Sequence, residues 1–416
     1  MKAFVKFTPI DDALKTFYDA IDLKCIPSEN ISLRESLYRV LSEDVVARDH
    51  VPNFDRAAVD GYAVRAQDTL GASTTTPFVF DVIASAEIGH VSNASVYGQQ
   101  SVKIATGAPL PQGADSVIMV EHTEKISVHR IEIYRSLHPG ENVSVRGEDV
   151  KQGETILFRG TILRPQDVGM LAALGRKEVK VVKKPTVAVF STGNELIEPG
   201  DSIEVGRVFD SNRPALMAMV KDLGGEPVDL GIVCDDLEAI RSRIVKGLAH
   251  DLIIISGATS VGEKDFTPEA VNSLGQPGVL VHGIAMRPGR ATALAALGKK
   301  PIVLLPGFPV SAMIAFEVFV KPLILKMLGA SPEQMERRTV VAYVSRRIPS
   351  SLGNRTFVRV VVKKMGEKYV IEPLRTSGSG ILSSLVKADG FVILPENKEG
   401  LEEGERVEVI LLRSMR

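Results

Sequence analysis

Between residues 184 and 330, short apolar runs alternate with stretches of helical periodicity. The runs are rich in Val, Ile and Leu, which is typical of strands buried on both faces of a sheet. The predicted strands are Thr186–Phe190, Val228–Val233, Leu252–Ile255, Val279–Ile284 and Ile302–Leu305. The predicted helices are Pro214–Leu223, Leu237–Leu248, one that begins at Thr267 and Pro268, and Val310–Leu328. This alternation predicts a doubly wound, mostly parallel α/β domain over residues 184–330.

Helical spacing occurs at three places before residue 184. Pro9 and Pro165 are each expected at the first position of a helix. Between these two helices, Ser32 with Glu35 has the pattern of a capping box, which predicts that a third helix begins at Ser32. From about residue 51 to residue 145, Val- and Ile-rich runs are instead separated by Gly, Pro and Asn. We therefore predict an inserted β-domain over 51–145, within a discontinuous helical and linker domain of residues 1–50 and 146–183.

Residues 337–416 return to short β-type runs separated by Gly, Asn and Glu turns. That pattern predicts a small barrel or sandwich at the C-terminal end. The chain is therefore expected to be a multidomain α/β plus β protein.

Composition limits the partners. Of the 416 residues, 44% are hydrophobic and 24% are charged, as in soluble multidomain proteins, and 50 Lys and Arg nearly balance 51 Asp and Glu. No basic field is therefore expected to hold nucleic acid. The two cysteines lie far apart, and no apolar run approaches the length of a membrane span or a signal peptide. We expect a cytoplasmic protein with no nucleic-acid or membrane partner.

Charged and hydroxyl side chains follow the predicted strands. In doubly wound sheets, ligands bind outside the carboxyl ends of the strands. The side chains expected at that edge are Glu195, Asp235, Asp236, Ser256, Thr259, Ser260, Glu263, Asp265, Arg287 and Arg290. One such loop alone fits a capped turn equally well, but acids gathered with arginines predict a phosphorylated ligand bound with Mg²⁺.

Several common chemistries lack their motifs. The α/β region has neither the G-x-x-x-x-G-K-[ST] phosphate loop nor a G-x-G-x-x-G after its first strand, and it has no nucleophile elbow. Electrostatic rather than covalent catalysis is therefore expected. Three further loops stand out, around Asp60, around Thr106 and over Arg375–Ser384, but each alone fits an ordinary turn, rigid corner or hairpin more readily.

A set of motifs occurs in a fixed order along the chain. They are AVDGYAV, TGAPLPQGAD, VRGEDV, STGNEL, DSN, SGATSVGEKDF, RPGR and PGFPVSA. With these motifs the chain resembles, over essentially its whole length, the molybdopterin molybdenumtransferases, the MoeA and gephyrin E-domain family. The resemblance implies a helical domain, an inserted β-domain, a nucleotide-site α/β domain and a C-terminal β-barrel. It also implies an elongated homodimer whose site lies between the α/β domain of one subunit and the inserted domain of the other.

The reaction implied by the resemblance is insertion of molybdate into adenylylated molybdopterin, with Mg²⁺-dependent release of AMP. The implied partners are that substrate, molybdate or tungstate, a second copy of the chain, and the molybdopterin adenylyltransferase. The implied catalytic residues are Asp60, Thr106, Glu195, Asp235 and Asp265, of which Asp235 and Asp265 would hold Mg²⁺. The predicted substrate- and oxyanion-binding residues are Ser256, Ser260, Arg287, Arg290, Pro306, Pro309, Arg359 and Ser379.

The sequence departs from the family pattern at four places. Arg287 and Arg290 replace the lysines of a K-P-G-K loop, Ala258 replaces a glycine, STGDEL is STGNEL with Asn194, and PGNP is PGFP with Phe308. Because arginine favours bidentate contacts to oxyanions, the preference between molybdate and tungstate stays open.

Two other functions compete with the transferase. A gephyrin-like interaction scaffold would need an exposed apolar groove, whereas this chain keeps the acidic and basic loops of an active site. A nucleotide-pyrophosphate hydrolase could share the α/β domain, but it would not require the inserted β-domain with Asp60 and Thr106.

Overall fold

The structure, a computed structural model, describes residues 7–23, 26–257, 266–331, 336–375 and 378–413. The described elements form three six-stranded sheets, joined by shorter strand pairs and helices. In the part of the chain so described, no helix is both long enough and apolar enough to cross a membrane.

The region before residue 184 contains two α-helices and twelve strands among its described residues. The helices are α1 Ile10–Ala20 and α2 Pro165–Ala173, and single 3₁₀ turns occupy Leu33–Glu35, Ala66–Thr69 and Val120–His122. The strands are β1 Ser28–Ser32, β2 Val45–Val46, β3 Arg56–Ala57, β4 Gly61–Val64, β5 Phe78–Ala86, β6 Gln100–Ile104, β7 Ser116–Met119, β8 Thr123–Ser127, β9 Arg130–Ile133, β10 Val143–Ser144, β11 Thr155–Leu157 and β12 Glu178–Val182.

Strand pairs connect the segments on the two sides of the insertion. β1 pairs antiparallel with β12, and β2 pairs antiparallel with β11. Leu41, Leu157, Leu163, Leu171 and Val181 are buried together between these pairs and α2. The chain thus leaves this small core before the inserted sheet and returns to it afterwards. The domain boundaries of residues 1–50 and 146–183 stay a prediction.

The helix predicted from the Ser32 and Glu35 pattern is wrong. Ser32 ends β1, and its hydroxyl caps only the 3₁₀ turn Leu33–Glu35 by accepting from the Arg34 N–H at 3.3 Å. Tyr38 has φ +62°, which a helix cannot continue through. Leu41, farther along the predicted helix, instead forms a strand-like bridge to Val181.

Helix α1 packs on the α/β layer rather than on the small core. Ile10, Ala13 and Phe17 are buried in one cluster with Val187 and Ile254 of the α/β sheet. The Thr8 N–H donates to the Gly283 carbonyl at 3.0 Å, which fixes the start of the helix.

The inserted sheet has the strand order β7-β4-β6-β5-β9-β8. All its neighbours are antiparallel except β5 and β6. Apolar residues are buried on both of its faces, in clusters centred on Phe80 and on Val102. Because Gly61 opens β4 opposite Ile104 at the end of β6, residues 60 and 106 emerge at the same end of the sheet.

The α/β region follows. Its strands are β13 Thr186–Thr192, β14 Leu196–Ile197, β15 Val208–Phe209, β16 Glu226–Val233, β17 Leu252–Ser256, β18 Pro277–His282, β19 Met286–Arg287, β20 Ala293–Leu297 and β21 Lys300–Leu305. Its helices are α3 Asn212–Asp222, α4 Leu237–Gly247, α5 Phe266–Leu274, α6 Pro309–Ala315 and α7 Lys321–Met327, with a π-helical turn at Phe316–Val320.

The central sheet is doubly wound, as predicted. Its strand order is β16-β13-β17-β21-β20-β18, and the first four strands run parallel. Residues of β17 alternate between two cores, because Ile254 faces α1, α3 and α6 while Ile253 and Ile255 face α4 and α5. Helices therefore cover both faces, and the carboxyl ends of the parallel strands stay open at one edge.

Two features of this region differ from the prediction. No strand was predicted at β20, since its sequence ALAAL lacks β-branched residues; it runs antiparallel to both β21 and β18. The helix predicted over Val310–Leu328 is interrupted by the π-helical turn ahead of Pro322, which has no N–H for the helical hydrogen bond.

The C-terminal region closes into a barrel rather than a sandwich. Its elements are β22 Thr339–Val344, β23 Ile348–Pro349, β24 Arg355–Met365, β25 Lys368–Arg375, β26 Gly390–Leu394, β27 Gly400–Leu401, β28 Arg406–Leu411 and helix α8 Ser383–Lys387. The order β24-β25-β22-β28-β26 closes because β26 pairs again with β24. β19 of the preceding region extends this sheet by pairing with β24.

Candidate active site

Asn212 links two loops at the carboxyl edge of the parallel sheet. Its amide nitrogen donates to the Ser256 hydroxyl oxygen at the end of β17 and to the Gly307 carbonyl oxygen after β21, each at 2.8 Å. The Gly307 carbonyl fixes the amide orientation, because the reversed amide would place two acceptors against each other. The Asn212 side-chain oxygen is buried and accepts no hydrogen bond from the described residues.

Thr192 and Gly257 approach closely beside this link. Gly257 has φ +127°, and a Cβ on it would lie 2.2 Å from the Thr192 carbonyl oxygen, so only glycine fits there. The Thr192 hydroxyl is buried and, within the described ranges, has no hydrogen-bond partner. Two buried polar groups without partners at one sheet edge are unusual, and they are typical of positions that a ligand or water satisfies.

Asp235 is held at the same edge by Asn194. The Asn194 N–H donates to Asp235 Oδ2 at 3.2 Å, and the Asp235 N–H donates to Asn194 Oδ1 at 3.0 Å. The other carboxylate oxygen, Asp235 Oδ1, is buried and has no partner among the described residues. The STGNEL and CDD loops thus meet as predicted, and one carboxylate oxygen is left without a described partner.

The neighbouring acids have different surroundings. Asp236 caps α4, because its side chain accepts from the Ala239 N–H at 2.9 Å, and this structural role accounts for it. Glu195 is exposed, and its carboxylate lies against Gly193 in the loop after β13. A Cβ added to Gly193 would be only 2.8 Å from Glu195 Oε2.

A buried arginine supports the edge from below. Arg213 on α3 is ion-paired with Asp210, Asp229 and Glu198. Burial alone would lower the pKa of the Arg213 guanidinium, but hydrogen bonds to Asp229 and Asp210 outweigh it and raise the pKa. Asp210 also accepts from the Ser191 hydroxyl at 3.0 Å, so the charge network fixes the turn that carries Asn212.

The PGFPVSA turn connects the sheet edge to the barrel. Pro306 is buried at the end of β21, and Pro309 begins α6. The Val310 N–H donates to the Ser379 carbonyl oxygen at 3.0 Å. The structure therefore brings predicted residues Pro306, Pro309 and Ser379 together within one chain.

The two predicted oxyanion arginines lie beside the barrel, in different settings. Arg287 is exposed in β19, beside barrel strand β24. The Arg290 guanidinium donates to Asn354 Oδ1 at 3.1 Å and lies over the Phe7 ring, 4.5 Å from its centroid. Arg290 therefore has a packing role between the barrel and the N-terminal segment, whereas Arg287 is exposed to solvent.

Arg359 is buried inside barrel strand β24, only 2% exposed, opposite Phe391 in the strand register. This placement favours a structural contribution to the barrel. Ser260 and Asp265, with Ala258, Thr259 and Glu263 of the same loop, lie outside the described residues.

Asp60 and Thr106 meet in the inserted domain. The Thr106 N–H and hydroxyl both donate to Asp60 Oδ1 at 2.7 Å. These bonds, the backbone N–H first, lower the pKa of the exposed Asp60 carboxyl. None of the described hydrogen bonds of either residue reaches the edge of the α/β sheet.

The candidate Mg²⁺ site can be tested against these residues. No group of three His, Cys, Asp or Glu side chains with metal-binding spacing occurs in the described ranges. Mg²⁺ commonly uses one or two carboxylates, completed by water and substrate phosphates. Asp235, whose buried Oδ1 has no hydrogen-bond partner in the described ranges, fits that requirement.

Sequence reasoning missed Asn212, Thr192 and Arg213 as contributors to the site. Asn212 lay within the DSN motif, which was used only as part of the resemblance. Its bridging role depends on the spatial meeting of three loops, and spacing along the chain carries no signal of that.

Together these features define a class: a multidomain protein whose doubly wound sheet has, at its carboxyl edge, buried oxygens without partners among the described residues, next to a loop of its own barrel. Three family models match the chain in order: the MoeA N-terminal region (domain I and II) over residues 8–175, a "probable molybdopterin binding domain" over 188–326, and the MoeA C-terminal region (domain IV) over 341–412.

Relatives cover nearly the whole chain. The molybdopterin molybdenumtransferase of Bacillus subtilis (strain 168) is 35% identical, over 93% of this chain and 90% of its own length. That of Staphylococcus aureus (strain COL) is 32% identical, over 98% and 96%. The crystal structure of a molybdopterin biosynthesis MoeA protein from Pyrococcus horikoshii OT3 has a TM-score of 0.83 at 35% identity, covering 98% of this chain and 100% of that one.

The chain belongs to the MoeA family of molybdopterin molybdenumtransferases, enzymes of molybdenum cofactor biosynthesis. The predicted fold class is confirmed, and the C-terminal barrel proves to be closed by five strands.

Proposed function

We propose that this enzyme inserts molybdate, or tungstate, into adenylylated molybdopterin and releases AMP in a Mg²⁺-dependent step, giving molybdenum cofactor. The observation that carries this proposal is the buried Oδ1 of Asp235 at the carboxyl edge of the sheet, which has no hydrogen-bond partner among the described residues. An acceptor oxygen held there by Asn194 is suited to a ligand that brings its own positive charge.

In this proposal Asp235 and Asp265 hold Mg²⁺. The bound ion would neutralise charge on the pyrophosphate linkage of the substrate. Asn194 keeps the Asp235 carboxylate in one orientation, so little reorganisation is needed when substrate binds.

The sheet edge itself would position the rest of the substrate. The Asn212 bridge keeps the Ser256 and Gly307 loops at a fixed separation. Arg287, exposed in β19, would bind oxyanions such as molybdate or the pyrophosphate by charge-assisted hydrogen bonds, with Arg290 beside it.

Asp60 and Thr106 would complete the site from a second copy of the chain. Thr106 fixes the Asp60 carboxylate while both residues stay exposed, so they are open to contact from the second copy in a two-fold homodimer. The molybdopterin adenylyltransferase, which would supply the adenylylated substrate, is a further proposed partner. The proposed location of this chain is the cytoplasm.

The test is to incubate the enzyme with adenylylated molybdopterin and Mg²⁺, with and without molybdate, and to measure AMP. We expect AMP release to depend on molybdate and to stop when Mg²⁺ is chelated. Release at the same rate without any oxyanion would instead favour a nucleotide-pyrophosphate hydrolase.

A further inference from the structure

Phe308 is an exposed aromatic residue at the candidate active site. It lies in the PGFPVSA turn between β21 and α6, and 62% of its surface is exposed. A single exposed aromatic residue is ordinary on a protein surface. The position of this one, rather than its exposure, points to a function.

Contacts on both sides of Phe308 fix its place. The preceding residue, Gly307, is linked to Ser256 through Asn212, which ties the turn to the edge of β17. On the barrel side, a Cβ on Gly380 would lie 3.2 Å from Phe308 Cδ1, so one edge of the ring rests against the Gly378–Leu382 loop. The ring is thus held between the sheet edge and the barrel while most of it stays open to solvent.

An exposed aromatic side chain that is held in one position can stack on a planar ring of a ligand. A fixed aromatic side chain binds heteroaromatic bases through their faces, and its removal typically weakens binding by about fivefold to about 100-fold. The family pattern has PGNP at this turn, so the asparagine there offers an amide where this chain offers a ring. Phe308 is 62% exposed, so the difference lies at the surface of the turn rather than in a core.

We propose that Phe308 stacks on a fused, amino-substituted heteroaromatic ring of the substrate. This inference rests on the proposed function, whose substrate contains two such rings, adenine and pterin. Phe308 would thus be a substrate-binding residue that sets the affinity for the ring. The affinity for phosphate or oxyanion would depend on other groups.

The absence of tryptophan from the chain allows a direct test. The variant Phe308→Trp places a single fluorescent indole at the turn. Phe158→Trp is its matched control, because Phe158 is also 62% exposed but directly follows β11, in the region before residue 184. The probes are AMP, a pterin, and ribose 5-phosphate, which carries the sugar phosphate without a ring.

We expect saturable quenching of Phe308→Trp by AMP or by the pterin, none by ribose 5-phosphate, and no saturable response from Phe158→Trp. The compound that quenches identifies which ring stacks. Equal responses to AMP and ribose 5-phosphate, no saturable response to AMP or the pterin, or equal responses from the two variants, would overturn the proposal.

A second series separates stacking from simple packing. By isothermal titration calorimetry, Phe308→Tyr, which keeps the ring, should bind the quenching compound within about twofold of the wild-type protein, whereas Phe308→Leu should bind it about fivefold to 100-fold more weakly. Equal binding by the two variants would contradict stacking. Binding is measured without turnover, so the two proposals can fail separately. Ring-dependent quenching without molybdate-dependent AMP release contradicts the proposed function alone. Molybdate-dependent AMP release without ring-dependent quenching contradicts the stacking alone.

Discussion

Thr106 donates two hydrogen bonds to the same carboxylate oxygen of Asp60, one from its backbone N–H and one from its hydroxyl, both at 2.7 Å. The two residues are 46 positions apart and are brought together because β4 and β6 are neighbours in the inserted sheet. The Asp60 carboxylate is therefore fixed in position while staying exposed to solvent.

The first prediction concerns the ionisation of Asp60. Hydrogen bonds to the charged form lower its pKa from the ordinary value of 3.8, and the Thr106 hydroxyl provides one of them. Thr106→Val removes that hydroxyl and keeps the backbone bond. We expect the pKa of Asp60 to rise toward 3.8 without reaching it, as measured by NMR titration of labelled aspartate.

The sign of the accompanying stability change follows from linkage. Since the folded-state pKa of Asp60 is depressed, these bonds stabilise the fold above the unfolded-state pKa, and the effect is lost as pH falls through the folded-state pKa. Thr106→Val should therefore lower the free energy of unfolding at neutral pH. In strong acid this difference from the wild-type protein should disappear. An unchanged pKa for Asp60 would show that the hydroxyl contributes nothing.

The second prediction separates two adjacent acids. Asp235→Asn should reduce Mg²⁺-dependent turnover by about 100-fold or more, because a neutral amide is a poor ligand for a hard cation. Asp236→Asn is the matched control, since asparagine caps a helix about as well as aspartate and should leave turnover unchanged. Comparable turnover in the two variants at limiting Mg²⁺ would remove Asp235 from the metal site.

The third prediction tests the Asn212 bridge. Asn212→Asp preserves shape but replaces the amide N–H groups that bind Ser256 and Gly307 with oxygen, and it buries a charge. We expect it to lower the thermal midpoint more than Asn212→Ala, whose loss of hydrogen bonds costs about 1–3 kcal/mol. If the aspartate variant were the more stable of the two, the bridge would not hold the edge together.

The fourth prediction distinguishes the two oxyanion arginines. Arg287→Ala should raise the molybdate concentration for half-maximal activity without changing the thermal midpoint, since Arg287 is exposed. Arg290→Ala should lower the midpoint as well, because it removes the contacts to Asn354 and Phe7. Should molybdate dependence stay the same in both variants, the oxyanion would bind elsewhere.

Much of the fold followed from periodicity. Buried strands such as Leu252–Ser256 have apolar residues facing both sides of the sheet, so their continuous apolar runs identify them. The helix predicted after Ser32 was wrong because local capping residues were outweighed by distant strand partners, such as the one that Leu41 finds at Val181. β20 was missed because alanine and leucine carry no preference for a strand.

The site was predictable only in part, for a related reason. The rule for parallel sheets correctly gathers Asp235 and Ser256 at one edge, because it depends on strand direction alone. It cannot show that Asn212 fills the space between two loops, that Asp236 is used as a helix cap, or that Arg290 packs against Phe7. Those roles are set by side-chain contacts between segments far apart in sequence.

The central claim is that Asp60 of one copy and Asp235 of another act in the same site. Asp60→Ala and Asp235→Ala subunits, each inactive alone, should be unfolded, mixed and refolded, and AMP release measured with molybdate. If random pairing makes half of the dimers mixed and each mixed dimer has one intact site, activity should return to about a quarter of the wild-type value. Mixed dimers, demonstrated with two affinity tags, that remain as inactive as the parent variants would contradict a site shared between subunits.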